Sequence, residues 1–562
     1  MKAAMITELA SNSRRPFLNR LWLFSLLALA IFVSAGFINL FNYNSLYSTL
    51  TEIPIEKGCH SFNIDKSDIP SGCTLINKVC VDQGTFILHD PAHQEPHAID
   101  KLPKVSPVYV YPHTLNNVDN AIKELELTGE YRRHMDPPRF RLKSALEPTP
   151  YLSKPKFSTC TVPIIVYMQF FMNYWHSFAD TTSWISDMMG RIKWAGYSKL
   201  IIATPEQFAL PNHLYTLLEP LSNMTVESLG EFSSRIPPGN PVIVGQGVKW
   251  LGQFTPEKPA TWEGMPQRCF EQLMVCGRKG GKKGGGHLWN TGQALARYYK
   301  PLAPKIDLNF TSSSSRGKNN NNNNSYNGGG GGGGRNEDDK QSRNNNNNDD
   351  DNNNSKSLKV VFHRRSLAAT RQLVNLHDLL DRCKTWSYTE PTSNIVYSLH
   401  CSEWEFTDIL SSVAVSQVAD VFVSLHGASE VNAYMMKPGS SIIEVIPFAF
   451  SKYAGPRGQF ALGSRTVSQP GAELHWWLLQ ICDPAAFKPG NYEIEKVQPE
   501  HMWFRDRHAV LEWSALETVL RQIAYVGGDT TKYQELFDED KWWWQVFSGG
   551  EAKWGDRKVL CE

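Results

Sequence analysis

Between residues 358 and 446 the chain alternates short β-branched runs with helical stretches, and that alternation restricts it to a layered α/β sheet. Leu358–Phe362, Asn394–Leu399, Asp420–Leu425 and Ser441–Ile446 read as strands, with Thr370–Cys383, Glu405–Val418 and about Val431–Met436 as the helices between them. Strands joined by crossing helices lie parallel, and open parallel sheets bind ligands at the carboxyl ends of their strands. No G-x-G-x-x-G follows the first strand, which counts against a nicotinamide or flavin dehydrogenase. A fainter series lies upstream: strand Val162–Met168, a helical pattern from about Ser177 to Trp194, strand Lys199–Ala203, a helix near Pro205–Leu218 and strand Pro241–Val244. The expected fold is α/β with two Rossmann-like lobes.

A chain of 562 residues has room for both lobes and for accessory segments. Leu21–Phe41 is an apolar run that meets the roughly 20 residues a spanning helix needs, and Lys2, Arg14, Arg15 and Arg20 precede it. Positive charge ahead of the run keeps residues 1–20 cytoplasmic and makes 21–41 a signal anchor, with the remainder in the lumen of the Golgi or endoplasmic reticulum. A signal peptide cleaved near Val33-Ser34-Ala35 is the competing reading and leads to the same pathway. Residues 42–158 read as a stem and the start of the first lobe, with a strand-like piece at Val108–Tyr111 and a helix across Asn117–Leu127; 159–309 complete that lobe and 358–562 form the second. Between them, 310–357 is a tract of Asn, Gly, Ser and Asp that cannot bury apolar surface and reads as a disordered insert. Ten cysteines suit disulfides in an oxidising compartment, although spacing leaves their connectivity open, and the sequons at Asn223, Asn309, Asn323 and Asn353 suit the same compartment. With 57 basic against 56 acidic residues there is no electrostatic case for a nucleic-acid partner.

Three constellations stand where strands give way to helices. Asn173, His176 and Asp180 follow the first strand of the upstream series, and a histidine within reach of a carboxylate gains basicity and can accept a hydroxyl proton. The bland reading is that Asp180 caps helix amides and His176 is an interior histidine. His363-Arg364-Arg365 ends Leu358–Phe362, with Arg371 and Asn375 on the expected helix; guanidiniums there offer forked donors to a diphosphate, or form a solvated basic edge. His426-Gly427-Ala428 ends Asp420–Leu425, where glycine lets backbone amides approach a ligand, and Glu444 on the last strand could accept from a ribose hydroxyl. The glycine run Gly280–Gly286 lacks the phosphate-loop frame and reads as a flexible loop. Trp476, Trp477, Trp503 and Trp542–Trp544 could stack on sugar rings, but core packing is the commoner cause of such density.

In order, N-x-x-H-x-x-x-D, R-R…R-x-x-x-N and A-D-x-x-V-x-x-H-G-A…P-G-S-x-x-x-E-x-x-P resemble the catalytic domain of glycosyltransferase family 61, from about Cys160 to Pro447. The resemblance implies a GT-B architecture and inverting transfer of xylose, arabinose or N-acetylglucosamine from a UDP-sugar to a glycan, polysaccharide or secreted protein. It further implies that Asn173, His176 and Asp180 line the acceptor side, that Arg364, Arg365 and Arg371 bind the diphosphate, and that His426, Gly427 and Ala428 meet the donor. His176 or Asp180 would be the base, and no metal is expected, since no Asp-x-Asp stands at a strand end. One departure is Ser429-Glu430 where the family motif often continues Gly-Leu: a carboxylate beside the diphosphate site. It motivates the rival reading, a lumenal glycan-binding or assembly protein that has lost turnover. A hydrolase built on His176 and Asp180 lacks an identifiable nucleophile or second carboxylate.

Overall fold

Two sheets of seven and eight strands carry the molecule. The computed structural model describes residues 64–89, 157–233, 269–306 and 354–554, each apart from internal stretches such as 204–209, 366–369 and 489–503, together with the strand segments 108–110, 133–135, 141–144, 242–244 and 248–250. Leu21–Phe41, Asn117–Leu127, Gly280–Gly286, the four sequon asparagines and 310–353 lie outside the described residues. Among the described residues no helix is long and apolar enough to cross a membrane.

The first sheet contains β1 (Cys73–Asp82), β2 (Thr85–Leu88), β3 (Arg141–Ser144), β4 (Thr161–Tyr167), β5 (Tyr197–Ala203), β6 (Glu227–Ser228) and β7 (Cys269–Cys276), in the spatial order β3-β2-β1-β7-β4-β5-β6. Strands β7, β4, β5 and β6 are parallel neighbours, as expected of this lobe, whereas β1 joins β7 antiparallel. Two expectations need correction. Strand Val242–Val244 does not continue the parallel series; it forms a separate antiparallel pair with Val248–Trp250, and β7 occupies the central position instead. Residues read mainly as stem supply β1 to β3, so sheet structure begins well before residue 158.

The register of β1 on β7 sets Cys73 opposite Cys276 and Cys80 opposite Cys269, and both pairs are disulfide-bonded. Each bridge closes a loop of about 200 residues, for which the chain-entropy argument gives about 5 kcal/mol. Because both clip the same strand pair, either one closes the loop for the other. Replacing one pair by serines is therefore expected to cost far less than half of the loss when both are replaced, a non-additivity that denaturant unfolding of the three variants would measure.

The second sheet contains β8 (Ser355–His363), β9 (Ser387–Thr389), β10 (Val396–Trp404), β11 (Val421–Leu425), β12 (Ser441–Ile446), β13 (His475–Ile481), β14 (Trp543–Val546) and β15 (Ala552–Trp554). Strand β8 starts inside the 310–357 tract, so Ser355–Ser357 are sheet and not insert. The spatial order is β9-β10-β8-β11-β12-β13-β14-β15, parallel from β10 to β14 with a short antiparallel strand at each edge. Every residue of β11, β12 and β13 is buried, the mark of parallel strands covered on both faces. Trp476, Trp477 and Trp542–Trp544 lie within this core at 0–1% exposure, so packing accounts for them; Trp503 lies outside the described residues.

The covering helices include α1 (Ser183–Arg191), α2 (Asn212–Leu218), α3 (Leu288–Tyr299), α4 (Leu376–Thr385), α5 (Ile409–Val418), α6 (Trp513–Val526) and α7 (Thr530–Asp538). Helix α5 starts where the Asp408 carboxylate accepts from Ser411 N at 2.8 Å. Helix α4 is held to β10 by the disulfide Cys383–Cys401. Helix α3 precedes the insert, yet Trp289, Leu295 and Tyr299 pack in the core of the second sheet. It lies so close that a Cβ on Gly292 would stand 2.4 Å from the Tyr434 carbonyl oxygen. Numbering the parallel strands in chain order gives 2-1-3-4-5-6, so crossovers leave β8 on one side and β11 on the other. Their carboxyl ends therefore flank the topological switch point of the sheet, where open α/β sheets place the crevice that binds ligands.

Candidate active site

That crevice is lined by the ends of β8 and β11. Past β8, Arg364 turns outward: its guanidinium meets Glu403 Oε1 at 2.6 Å and Glu405 Oε2 at 3.9 Å, both at the end of β10. Arg365 turns inward. The next segment is not helical as expected. Helix α4 begins only at Leu376, because Gln372 N donates to His508 Nδ1 at 3.1 Å and Gln372 O accepts from Ala509 N at 2.9 Å. This pinning holds Arg371 in the left-handed region, at φ 58°, with its guanidinium 3.4 Å from both His426 O and Asp506 Oδ1. Asn375 bonds the Leu511 backbone through both ends of its amide, at 2.9 and 3.1 Å, and so fixes the same segment.

Arg365 and Arg371 converge on Gly427. Its φ of 169° is ordinary extended backbone, so the need for glycine is steric. An added Cβ would lie 2.7 Å from an Arg371 terminal nitrogen and 3.2 Å from one of Arg365. The Gly427→Ala variant is expected to displace the guanidiniums and weaken donor binding about tenfold. Its melting temperature should hardly change, since the clash is with side-chain ends; donor KM and thermal melting together check this.

Arg505 is a third guanidinium beside the crevice, bound in a fork to Asp506 at 2.6 and 2.7 Å. Among the described residues no side chain hydrogen-bonds or ion-pairs with the Arg365 guanidinium. Burial, then the charge of Arg371, lowers its pKa to about 9, so it stays a cation at neutral pH but an electrostatically strained one. Three guanidiniums around Asp506 leave positive charge that an anionic ligand would relieve. His363 lies among them and bonds Ser429 Oγ at 3.0 Å and Ser424 Oγ at 3.2 Å. Burial, with Arg365 and Arg371 adding to it, takes its pKa down to about 3, so it contributes hydrogen bonds and no charge.

Glu444 does not reach a ligand directly. It is fully buried on β12, with one oxygen 2.5 Å from His426 Nδ1 and the other accepting from Trp476 Nε1 at 2.6 Å. The expected contact with a ribose hydroxyl is not open in this arrangement, because both oxygens are engaged inside the core. Glu430 is equally enclosed, and its Oε1 accepts from Gly427 N at 3.2 Å. Burial, then the Glu444 charge, raises its pKa well above the usual carboxylate range. With Gly427 N held by Glu430, the amides of this turn without a partner among the described residues are those of Ala428 and Ser429. His426, Glu430 and Glu444 lie close enough, within 4.8 Å, to hold a metal ion.

The dyad comes from the first lobe. Asn173 caps a short turn, Tyr174–His176, by accepting from His176 N at 3.2 Å. The helix then widens into a π turn, Ser177–Thr182, of the kind found frequently at functional sites. His176 Nδ1 and Asp180 Oδ2 are 2.6 Å apart, both about a quarter to a third exposed. A carboxylate on Nδ1 fixes the tautomer that leaves Nε2 able to accept a proton. The turn packs on the 3-10 helix Ala428–Met435 that follows Gly427, through Trp175 and Phe178 against Tyr434 at 6.1 and 5.3 Å between ring centroids. Tyr434 in turn contacts Trp476. Of the residues expected from sequence, His176 and Asp180 are thus joined, Arg365, Arg371, His426, Gly427 and Ala428 gather at the switch point, Asn173 and Glu444 stand behind them, and Arg364 lies outside on Glu403. Arg505 and Asp506 were not foreseen; the only sign is the Arg-Asp-Arg run after Phe504.

The carboxylate-paired histidine thus stands on a turn of the first lobe that packs against the 3-10 helix leading away from the cationic switch point of the second. The family model Glycosyltransferase 61 matches residues 174–443, from the dyad turn to β12, and this match supports membership of glycosyltransferase family 61. No curated protein matches the chain.

Proposed function

We propose that the protein is an inverting glycosyltransferase that moves a sugar from a UDP-sugar to a hydroxyl of a glycan, polysaccharide or secreted protein. The observation that carries this reading is Arg365 beside Arg371 and Gly427 at the switch point, two guanidiniums converging where a diphosphate would bind. His176 is the base and Asp180 its orienting partner. Nε2 takes the acceptor proton as the hydroxyl oxygen attacks the anomeric carbon, and the bond from that carbon to the diphosphate breaks on the opposite face. The arginines and the Ala428 and Ser429 amides stabilise the charge developing on the leaving group. They supply what a divalent cation supplies in other transferases, so turnover should survive a chelator.

The disulfides Cys73–Cys276, Cys80–Cys269 and Cys383–Cys401 suit an oxidising compartment, and Leu21–Phe41 would hold the catalytic part on the lumenal side of a Golgi or endoplasmic reticulum membrane. The inactive-homologue alternative loses its main motive, because Glu430 faces the core and not the crevice. The test is nucleoside diphosphate release from a panel of nucleotide sugars, with glycan acceptors and with or without chelator. One UDP-sugar turned over irrespective of chelator supports the reading; release from none, with a nucleotide still bound, supports the inactive homologue.

A further inference from the structure

We infer that the Ser429 hydroxyl is a further hydrogen-bond donor to the diphosphate, and that His363 is the positioning residue that turns its proton toward the ligand. The inference deepens the donor reading above and rests on it. His363 is the last residue of β8, and its ring lies against Phe406 and Phe422, at 5.6 and 6.2 Å between centroids, which fixes its plane. Its Nδ1 meets two hydroxyls, Ser424 Oγ at 3.2 Å and Ser429 Oγ at 3.0 Å.

Which atom donates follows from counting protons. Burial and the charges of Arg365 and Arg371 keep the ring neutral, so only one of its nitrogens carries hydrogen. Ser424 is fully buried and gives its single proton to Leu425 O at 3.0 Å, so toward His363 it can only accept. Were Nδ1 bare, two lone pairs would face each other inside the core. The hydrogen-bond pattern thus assigns the proton to Nδ1, shared between the two serine oxygens. Ser429 Oγ accepts from His363 and keeps its own proton. Among the described residues that proton has no acceptor, and neither has the Ser429 amide.

Ser429 lies two residues past Gly427, on which the Arg365 and Arg371 guanidiniums converge. A guanidinium has donors and no acceptor, so the arginines cannot satisfy the serine. An anion with oxygens on several sides satisfies all of them, and a diphosphate is such an anion. The arginines supply the charge; the hydroxyl supplies direction. Glycine, which the family motif often places here, has the amide without the hydroxyl, so this contact is an addition made by the present chain.

The experiment is calorimetric UDP binding to the purified full-length chain at one neutral pH, so that the Arg365 charge stays constant, with thermal melting alongside. Ser429→Ala and Ser429→Gly keep the amide and lose the hydroxyl, and each should bind UDP about tenfold more weakly at an unchanged melting temperature. His363→Leu removes the group that orients the hydroxyl and should weaken binding about fivefold, whereas His363→Asn, whose amide nitrogen can stand near the place of Nδ1, should bind within about twofold of the parent. Added to Ser429→Ala, His363→Leu should have no further effect, because His363 acts through the hydroxyl. The inference is overturned if the two Ser429 variants bind UDP like the parent, or if His363→Leu weakens binding as much in the Ser429→Ala background as alone. Should His363→Leu fail to fold, the two Ser429 variants and His363→Asn still decide. A parent that binds no nucleoside diphosphate at all removes the donor reading itself; a parent that binds UDP no better than Ser429→Ala removes only the hydroxyl.

Discussion

An Arg365→Ala enzyme is expected to lose roughly 100- to 1,000-fold in kcat/KM toward its nucleotide sugar while melting close to the parent temperature. A partly buried guanidinium aimed at a diphosphate is a charge-assisted donor whose contribution grows as charge develops on the leaving group. Truncation therefore removes both ground-state and transition-state stabilisation. Stability should hold because removing a strained cation relieves the repulsion among Arg365, Arg371 and Arg505. Arg364→Ala is the matched comparison: that guanidinium is nearly half exposed and engaged by Glu403 and Glu405, and its loss should change kcat/KM less than about threefold. A steady-state comparison of the two neighbours separates a diphosphate site from a merely basic strand end, because the bulk charge change is the same in both.

His176→Ala should lower kcat by about 10³ and leave the donor KM nearly unchanged, since a general base acts on the acceptor proton and not on the diphosphate. Asp180→Asn should cost less, about 10², because it removes the carboxylate that orients the ring while leaving an imidazole in place. Donor hydrolysis in the absence of acceptor, which needs no proton taken from a sugar hydroxyl, should be less affected than transfer in both variants. Equal loss in KM and kcat would instead mark the pair as a structural brace of the π turn.

The parts of this site that were legible in the sequence are those governed by short-range geometry. Strands β8, β10, β11 and β12 announced themselves through β-branched runs, and so did the strand-end positions of Arg365 and Gly427. The four-residue spacing of His176 and Asp180 sufficed for their contact even though a π turn intervenes. What stayed hidden depends on distant partners. Arg371 was expected on a helix because nothing local shows that Gln372 is pinned by His508, 136 residues later. Glu444 looked available to a ligand because its engagement by Trp476 requires β13 to lie beside β12. Strand β1 carries Asn77 and Lys78 and its partner β7 is nearly 200 residues away, so neither the first sheet's antiparallel half nor the pairing of Cys73 and Cys80 could be read from spacing.

The most direct test of the central claim, that the switch point of the second sheet binds the diphosphate of the donor, is a calorimetric comparison of UDP with UMP on the parent protein and on Arg365→Ala. The account predicts that the parent prefers UDP by at least tenfold, the value of one charge-assisted contact to the second phosphate, and that Arg365→Ala abolishes most of that preference. Equal affinity for the two nucleotides in the parent, or an undiminished preference in Arg365→Ala, would contradict it.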